Sequence, residues 1–455
     1  MATTATQVAH IWRRLGFGPT KADLDAGDAM GPGALVDWML ARPSTTFAAA
    51  GFPAPVDGNH DPIALRQLEL MAFGPVAAGV ATTSPSYHPL QERIAWLLQG
   101  LVVVSIADTV YLSDMHDHLR VLRDGWSGSY RTLLATVSTR PGMLKYLSGF
   151  LNTKDHPNQN YARELLELFS LGRVHPLTGA ANYGQADIVE VARALSGWTY
   201  HWSDGTTSFD ASQWDAGAKT FLGAPRGAAQ LTQVLDAIVA HPSWAAYVPA
   251  RLYRDLTGLA ATADVVAALG AVWGATGDLA AVVSAIAHRP EFLSDAAISS
   301  KVRSPIELVV AAMRILGWNG LRASETALAT WGWYLREMGQ HPLSAPNVSG
   351  WPRGDQWLNA TNLQWWCSIA NELCTIGLDW SGAVTGTVVP GVTYLHQNAS
   401  GATAATLACR MAGITEPTPS TTAALADYAT AGSWTPGRAA GVLSLTFVAP
   451  EFLAG

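Results

Sequence analysis

The sequence predicts a mainly α fold: a single large multi-helix domain with long loops and minor β-hairpins. Apolar residues recur at three- and four-residue spacing along most of the 455 residues, which is typical of amphipathic helices. Hydrophobic residues make up 49% of the chain and charged residues only 14%, so a large buried core is required. Length alone would allow two or three domains. Because the helical pattern continues throughout, we expect one helical domain over residues 1–455.

The first part of the chain predicts short helices followed by a long one. Residues 7–41 are broken by glycine and proline, and residues 42–60 resemble a surface loop. A helix is expected at about 62–74. The stretch from about 89 to 112 is apolar nearly all round, which predicts a long helix at the centre of the bundle. Its apolar run is interrupted by Gln99 and is too short to span a bilayer.

Helices are next expected near 114–124 and 127–139, and then over Asp155 to Gly172, which has a well-organised polar face. Glu164 and Glu167 are three residues apart, so their carboxylates are neighbours on a helix, and Arg163 is placed to pair with Glu167. A carboxylate pair on such an apolar helix either meets cations in a structural cluster or lines an active or metal site. The polar face contains Asn160, Arg163, Glu164, Glu167 and Ser170.

A second strong helix is predicted at about 184–198, followed by a long irregular loop or a small β-hairpin over 199–227. Long loops in compact proteins are often functional. Asp215 and Lys219 lie in this loop beside Trp214. They either orient a substrate or exchange protons with it, or they form a salt bridge that anchors the loop.

The second half predicts helices over 228–340 and again over the last residues. A proline repeatedly follows a helix end, where it suits the first turn of a short new helix; the copies are TVSTRPGML, IVAHPSW, IAHRPEFL and FVAPEFL. Lys301, Arg303 and Glu307 begin a helix that we expect to dock against acidic neighbours such as Glu164. Residues 344–360 form a turn-rich connection that contains Trp351, and residues 380–400 allow a short strand pair.

Composition excludes several classes of function. A formal net charge of −7 without a basic run argues against binding to a nucleic-acid backbone. The three cysteines support neither a disulfide framework nor a cysteine zinc site. The first residues lack an apolar signal core, so a cytoplasmic location is expected, with export together with a partner as the alternative. The eighteen tryptophans belong to the core or line a groove for a sugar.

Five ordered motifs resemble an uncharacterised bacterial family, domain of unknown function 1800. They are NQNYARELLELFSLG, DIVEVARALSGWT, DAGAKTFLG, KVRSPIELVV and NVSGWPRGDQWLN. The likeness runs from about residue 8 to about 375 and is expected to continue to the end, through a helical extension over about 376–455, and it implies a mostly helical fold. Genes of this family often lie beside genes for a protein related to sulfatases and alkaline phosphatases, which implies such a partner.

The sequence departs from that family where a metal site would be expected. Gln99, Gly100 and Leu101 stand where the family typically has His-Asn-His, Gln159 replaces a Glu, and Trp214 replaces a His before Asp215. Two histidines with carboxylates would suit a divalent metal. The resemblance therefore implies a metal-free, degenerate relative.

Our leading hypothesis is a binding or partner protein without a cofactor. A metal-dependent hydrolase or oxidoreductase built around the acidic helix, and a carbohydrate-binding protein, are the alternatives. The candidate catalytic residues are Glu164, Glu167, Asp215 and Lys219, and the candidate substrate-binding residues are Asn160, Arg163, Trp198, Trp214 and Trp351.

Overall fold

Helices account for most of the chain in a computed structural model, which describes residues 2–56, 58, 61–74, 88–106, 110–298, 300–317 and 332–454. The α-helices of the first half are Thr4–Arg14, Lys21–Met30, Pro32–Leu40, Asp61–Phe73, Pro89–Gln99, Leu112–Asp124, Tyr130–Val137, Pro141–Tyr146, Asn160–Glu167 and Gln185–Ala194. Those of the second half are Leu231–Val239, Tyr247–Thr257, Ala263–Trp273, Leu279–Ala287, Asp295–Ile298, Pro305–Leu316, Ala360–Thr375, Pro390–Asn398, Ala404–Met411, Pro419–Thr430, Pro436–Phe447 and Pro450–Leu453. Short 3₁₀ turns occur at Gly149–Leu151, Pro242–Ala245, Pro290–Leu293 and Gly354–Trp357.

Two small antiparallel sheets interrupt the helices, both within the predicted loop region. Trp198–Tyr200 pairs with Thr207–Phe209, and Lys219–Phe221 pairs with Ala224–Gly227. The second pair packs against the helix Gln185–Ala194. The prediction of a mainly α, single-domain fold with minor β-hairpins is therefore confirmed.

The buried apolar side chains form two clusters that share the helices Asp61–Phe73 and Pro89–Gln99. One cluster draws mainly on residues 8–287 and the other mainly on residues 306–452. The helix Pro89–Gln99 places Ile94 in the first cluster and Trp96 in the second. Its central position agrees with the sequence, and it brings the two halves of the chain into contact.

Three predicted elements differ from the structure. The long helix expected over 89–112 ends at Gln99, and the helix expected from Asp155 extends only over Asn160–Glu167. Pro157 lies outside it, because the preceding segment is held by Asn152, whose Oδ1 accepts the backbone N–H of Asn158 at 2.9 Å. The strand pair suggested for 380–400 is wrong, since Pro390–Asn398 is helical.

Each of the four repeated proline motifs begins a short helix, as predicted. Pro141, Pro242, Pro290 and Pro450 occupy first-turn positions, where a missing N–H leaves no helix bond unmade. In the part of the chain that the structure describes, no helix is both long enough and apolar enough to cross a membrane.

Candidate functional site

The helix Asn160–Glu167 has one apolar face and one acidic face. Tyr161, Leu165 and Leu166 bury the opposite side, whereas Glu164 and Glu167 are half-buried. Among the described residues neither carboxylate forms an ion pair. Arg163, which was expected to pair with Glu167, instead lies 3.4 Å from Gln185 Oε1. The exposed Asn160 makes a local backbone contact with the side chain of Asn158.

Two phenols accompany the carboxylate pair. The hydroxyl of Tyr183 donates to Glu167 Oε2 at 3.2 Å. Burial, and then the charge of Glu167, raises the pKa of Glu164 above its ordinary value. Burial and the charge of Glu164 likewise raise the pKa of Tyr146. Burial and the neighbouring charge therefore disfavour the ionised form of Glu164. A cation bound at this face would favour the ionised form.

Asp215 and Lys219 anchor their loop. Arg193 Nε donates to Asp215 Oδ2 at 2.7 Å, and Arg193 also pairs with Glu190 on its own helix at 2.8 Å. The fully buried Lys219 donates to the backbone carbonyls of Asp215 and, at 2.8 Å, of Gly217. The hydrogen bond from Arg193 lowers the pKa of Asp215, and burial lowers that of Lys219. This is the loop-anchoring arrangement that the sequence left open.

The tryptophans of this loop pack locally. Trp198 lies 5.7 Å from Phe209 between ring centroids, and the ring of Trp214 lies 5.2 Å from the ammonium of Lys219. Eight of the tryptophans that the structure describes are buried, so the core accounts for many of them. The buried ones are Trp12, Trp96, Trp126, Trp244, Trp273, Trp351, Trp357 and Trp366.

Trp351 lines a cavity of about 290 Å³ that lies where the two apolar clusters meet. Its ring stacks on Trp96 with centroids 4.6 Å apart. The described lining residues include none of the other eight candidates from the sequence. The acidic helix and the cavity are therefore separate features rather than walls of one cleft.

Charged side chains from distant segments converge on this cavity, which sequence reasoning missed. Arg93, Arg254, Lys301 and Arg353 face two carboxylates, Asp255 and Glu307. A smaller cavity beside it shares Lys301 and Glu307 and adds Arg13, Arg14 and Arg303. The sequence had singled out Lys301, Glu307 and Trp351 separately, but it gave no sign that they lie together with Arg93 and Arg353.

Glu307 connects these cations to the start of the helix Pro305–Leu316. Its carboxylate accepts the backbone N–H of Ser304 at 2.8 Å, pairs with Lys301 at 2.8 Å, and touches Arg93 Nη2 at 2.5 Å. Burial opposes ionisation of Glu307, but Lys301 and Arg93 hold its pKa well below the ordinary range. The prediction that this helix end docks against Glu164 is therefore wrong, because Lys301 pairs with Glu307 and the guanidinium of Arg303 lies over the ring of Phe452.

Gly100 lines the cavity, and Gln99 lies directly before it in the chain. Gln99 is buried and bonds Gln67 and the carbonyl of Pro342 through its side-chain amide. The carbonyl of Gly100 accepts hydrogen bonds from Arg251 at 2.7 Å and Arg353 at 3.2 Å. Within the described ranges, no three His, Cys, Asp or Glu side chains are grouped so that they could hold a metal ion.

Comparison with known proteins yields one match. A family model described as "Protein of unknown function (DUF1800)" matches residues 10–454. No curated protein and no solved structure matches the chain. The match continues past residue 375 into the segment that the sequence suggested was an extension.

Proposed function

Because the chain belongs to the DUF1800 family of proteins of unknown function, we propose a function from the geometry of its sites: a metal-free binding protein that holds another protein. The observation that carries this proposal is the set of hydrogen bonds made by Gln99 and Gly100. Where the family resemblance places imidazoles, this chain has a hydrogen-bonded amide and a carbonyl bonded by two arginines. Positive charge beside Gly100 opposes a divalent cation there.

The surface that would meet the partner is the acidic face of Asn160–Glu167. Glu164 and Glu167 have no cationic partner among the described residues, and burial raises the pKa of Glu164. A lysine or arginine from another protein would supply the missing charge and bond to both carboxylates. The proposed partner is a sulfatase- or alkaline-phosphatase-like protein, which the family resemblance suggests.

One observation favours a second candidate, an enzyme that uses the same face. A carboxyl group whose pKa is raised by burial suits a general acid, and Glu164 has this property. In a metal-dependent enzyme, Glu164 and Glu167 would instead be ligands, and the metal would be lost when both are replaced.

The test compares wild type with Glu164→Gln/Glu167→Gln. The wild-type chain is co-expressed with a sulfatase- or alkaline-phosphatase-like protein, the class of partner that the family resemblance suggests, and the affinity of the isolated complex is measured. Removal of two interfacial carboxylates is expected to weaken the complex by at least about tenfold. Replacing the exposed carboxylates Glu337 and Asp427 with amides is the control and should leave it unchanged.

Metal analysis of the same preparations separates the two candidates. Less than stoichiometric metal in wild type agrees with the binding protein. One tightly bound divalent metal per chain, lost in the double variant, would establish the metal-dependent enzyme instead. The absence of any complex with the co-expressed protein would contradict the partner proposal.

A further inference from the structure

We infer that the cavity beside Trp351 binds a tetrahedral oxyanion, namely the phosphoryl or sulfuryl group of a small molecule or the free anion. No role of this kind follows from the acidic helix, which does not line the cavity. The inference is therefore independent of the proposed protein partner. It depends on three features of the described residues: an excess of cations, unpartnered guanidinium nitrogens and an aromatic wall.

The charge around the cavity is opposite in sign to that of the chain. Four cationic side chains line it against two carboxylates, and three more arginines line the small cavity next to it, although the chain carries a formal net charge of −7. Arg254 and Arg353 are exposed and Lys301 is half-buried, whereas Arg93 is buried. A buried cation in excess of the neighbouring carboxylates is costly, because it loses its hydration. A bound anion would supply the missing charge.

Several buried guanidinium groups also lack hydrogen-bond acceptors. Arg93 is 1% exposed, and although its Nη2 touches Glu307, its Nε and Nη1 have no partner. In the small cavity next to it, both terminal nitrogens of the buried Arg303 have no hydrogen-bond partner, although the guanidinium lies 4.4 Å from the ring centroid of Phe452. Buried donors are normally bonded, and the planar fork of arginine matches the oxygens of phosphate and sulfate.

Lys301 lies between the two cavities, and its environment agrees with this interpretation. Burial, followed by repulsion from Arg93, lowers the pKa of Lys301 to about 8, despite its ion pair with Glu307. An added oxyanion would offset both effects and favour the charged ammonium.

The aromatic wall indicates that the anion is part of a larger molecule. The volume of about 290 Å³ exceeds the space of one ion, since a water molecule occupies only about 30 Å³ of liquid. Trp96, Trp351 and Trp357 line the same space, and the indole N–H of Trp351 is buried without an acceptor. A ring with a polar substituent could stack against Trp351 and accept this N–H.

Calorimetric titration with inorganic phosphate and with inorganic sulfate tests the site, using wild-type protein in chloride buffer. We expect one anion per chain. Arg93→Gln and Arg353→Gln should each weaken binding by about tenfold to a hundredfold, the effect of one lost charged hydrogen bond. Arg353 is a safe second variant because 43% of its side chain is exposed. Arg123→Gln is the control, since Arg123 is equally buried but bonded to Glu92 and Thr45.

Thermal unfolding provides a second reading of the same complex. Phosphate should raise the Tm of wild type and of Arg123→Gln, because a ligand that binds the folded state stabilises it. The increase should be smaller in Arg93→Gln and Arg353→Gln. Lack of saturable binding by either anion, or equal affinity in wild type and both cavity variants, would overturn the inference.

Titration with phenyl phosphate distinguishes an organic ester from the free anion. Tighter binding of phenyl phosphate than of inorganic phosphate, reduced by Trp351→Ala, supports an organic ester. Equal affinity for the two supports the free anion.

Discussion

At the scale of single residues, Glu307 is the carboxylate on which the cations beside the cavity converge. It is buried, and it contacts Arg93, Lys301 and the backbone N–H of Ser304. A buried ion pair is not by itself strong evidence of stability, but removing one of its partners leaves uncompensated charge. The cost of losing this carboxylate is therefore expected to exceed that of a surface pair.

We predict that Glu307→Gln lowers the free energy of unfolding by roughly 3–5 kcal/mol, because Arg93 and Lys301 lose their counter-charge. Urea denaturation provides the measurement. Glu291→Gln is the matched control, since Glu291 also follows a helix-initiating proline but pairs with Arg289 at a largely solvated site. Its cost should be below about 1 kcal/mol. Equal losses in the two variants would show that the charge cluster around Glu307 does not depend on this carboxylate.

The sequence predicted contacts between residues that are close in the chain better than contacts between distant ones. It predicted the carboxylate pair of the acidic helix and the Asp215–Lys219 contact, because both pairs are close in the chain. It did not predict the cation cluster, whose members Arg93, Lys301 and Arg353 are brought together by folding. Trp351 was selected as a binding residue, but its stacking on Trp96 could not be known from spacing.

At the scale of elements, the turn that follows the helix Asn160–Glu167 depends on Gly172. Its φ of 76° lies in the left-handed region, and its N–H donates to the carbonyl of Leu166 at 3.1 Å. A Cβ at this position would lie 2.5 Å from the ring of Tyr247. The chain therefore needs glycine here both for the backbone and for the space.

We predict that Gly172→Ala destabilises the protein more than Gly179→Ala, by at least about 1 kcal/mol, because overpacking adds to the backbone strain. Gly179 is a matched control: its φ is 70°, and a Cβ there would meet nothing within 4 Å. Chemical denaturation of the two variants gives the difference. Equal destabilisation would mean that Tyr247 moves aside without cost.

Local signals predicted elements well where they act within a few residues. The prolines at first-turn positions began helices as expected, because their effect is confined to one turn. The helix predicted over 89–112 was too long, since its apolar residues continue into the nonhelical Val102–Val104, where burial rather than periodicity decides. The start at Asn160 depends on a hydrogen bond between Asn152 and Asn158, which no pattern indicates.

At the scale of the whole molecule, the two apolar clusters share their central helices. Because Pro89–Gln99 contributes to both clusters, neither can lose its packing without exposing part of the other. We therefore expect the two halves of the chain to unfold together.

The three free cysteines report on this cooperativity. Cys367 is exposed, whereas Cys374 and Cys409 are buried in the second cluster. We predict that one thiol reacts at once with a thiol reagent, and that the other two react at the urea concentration at which helical circular dichroism is lost. Reaction of the buried thiols at lower urea would instead show that the second cluster opens separately.

The cavity beside Trp351 has a consequence for selectivity. Its basic side chains line a recess of an acidic protein, where Arg93 is buried and Arg254 and Arg353 are exposed. A polyanion such as a nucleic acid would meet like charge along its length and could not bring more than one phosphate inside. If the cavity binds an oxyanion as we infer, we expect it to accept small phosphate or sulfate esters and to exclude polymers of the same chemistry.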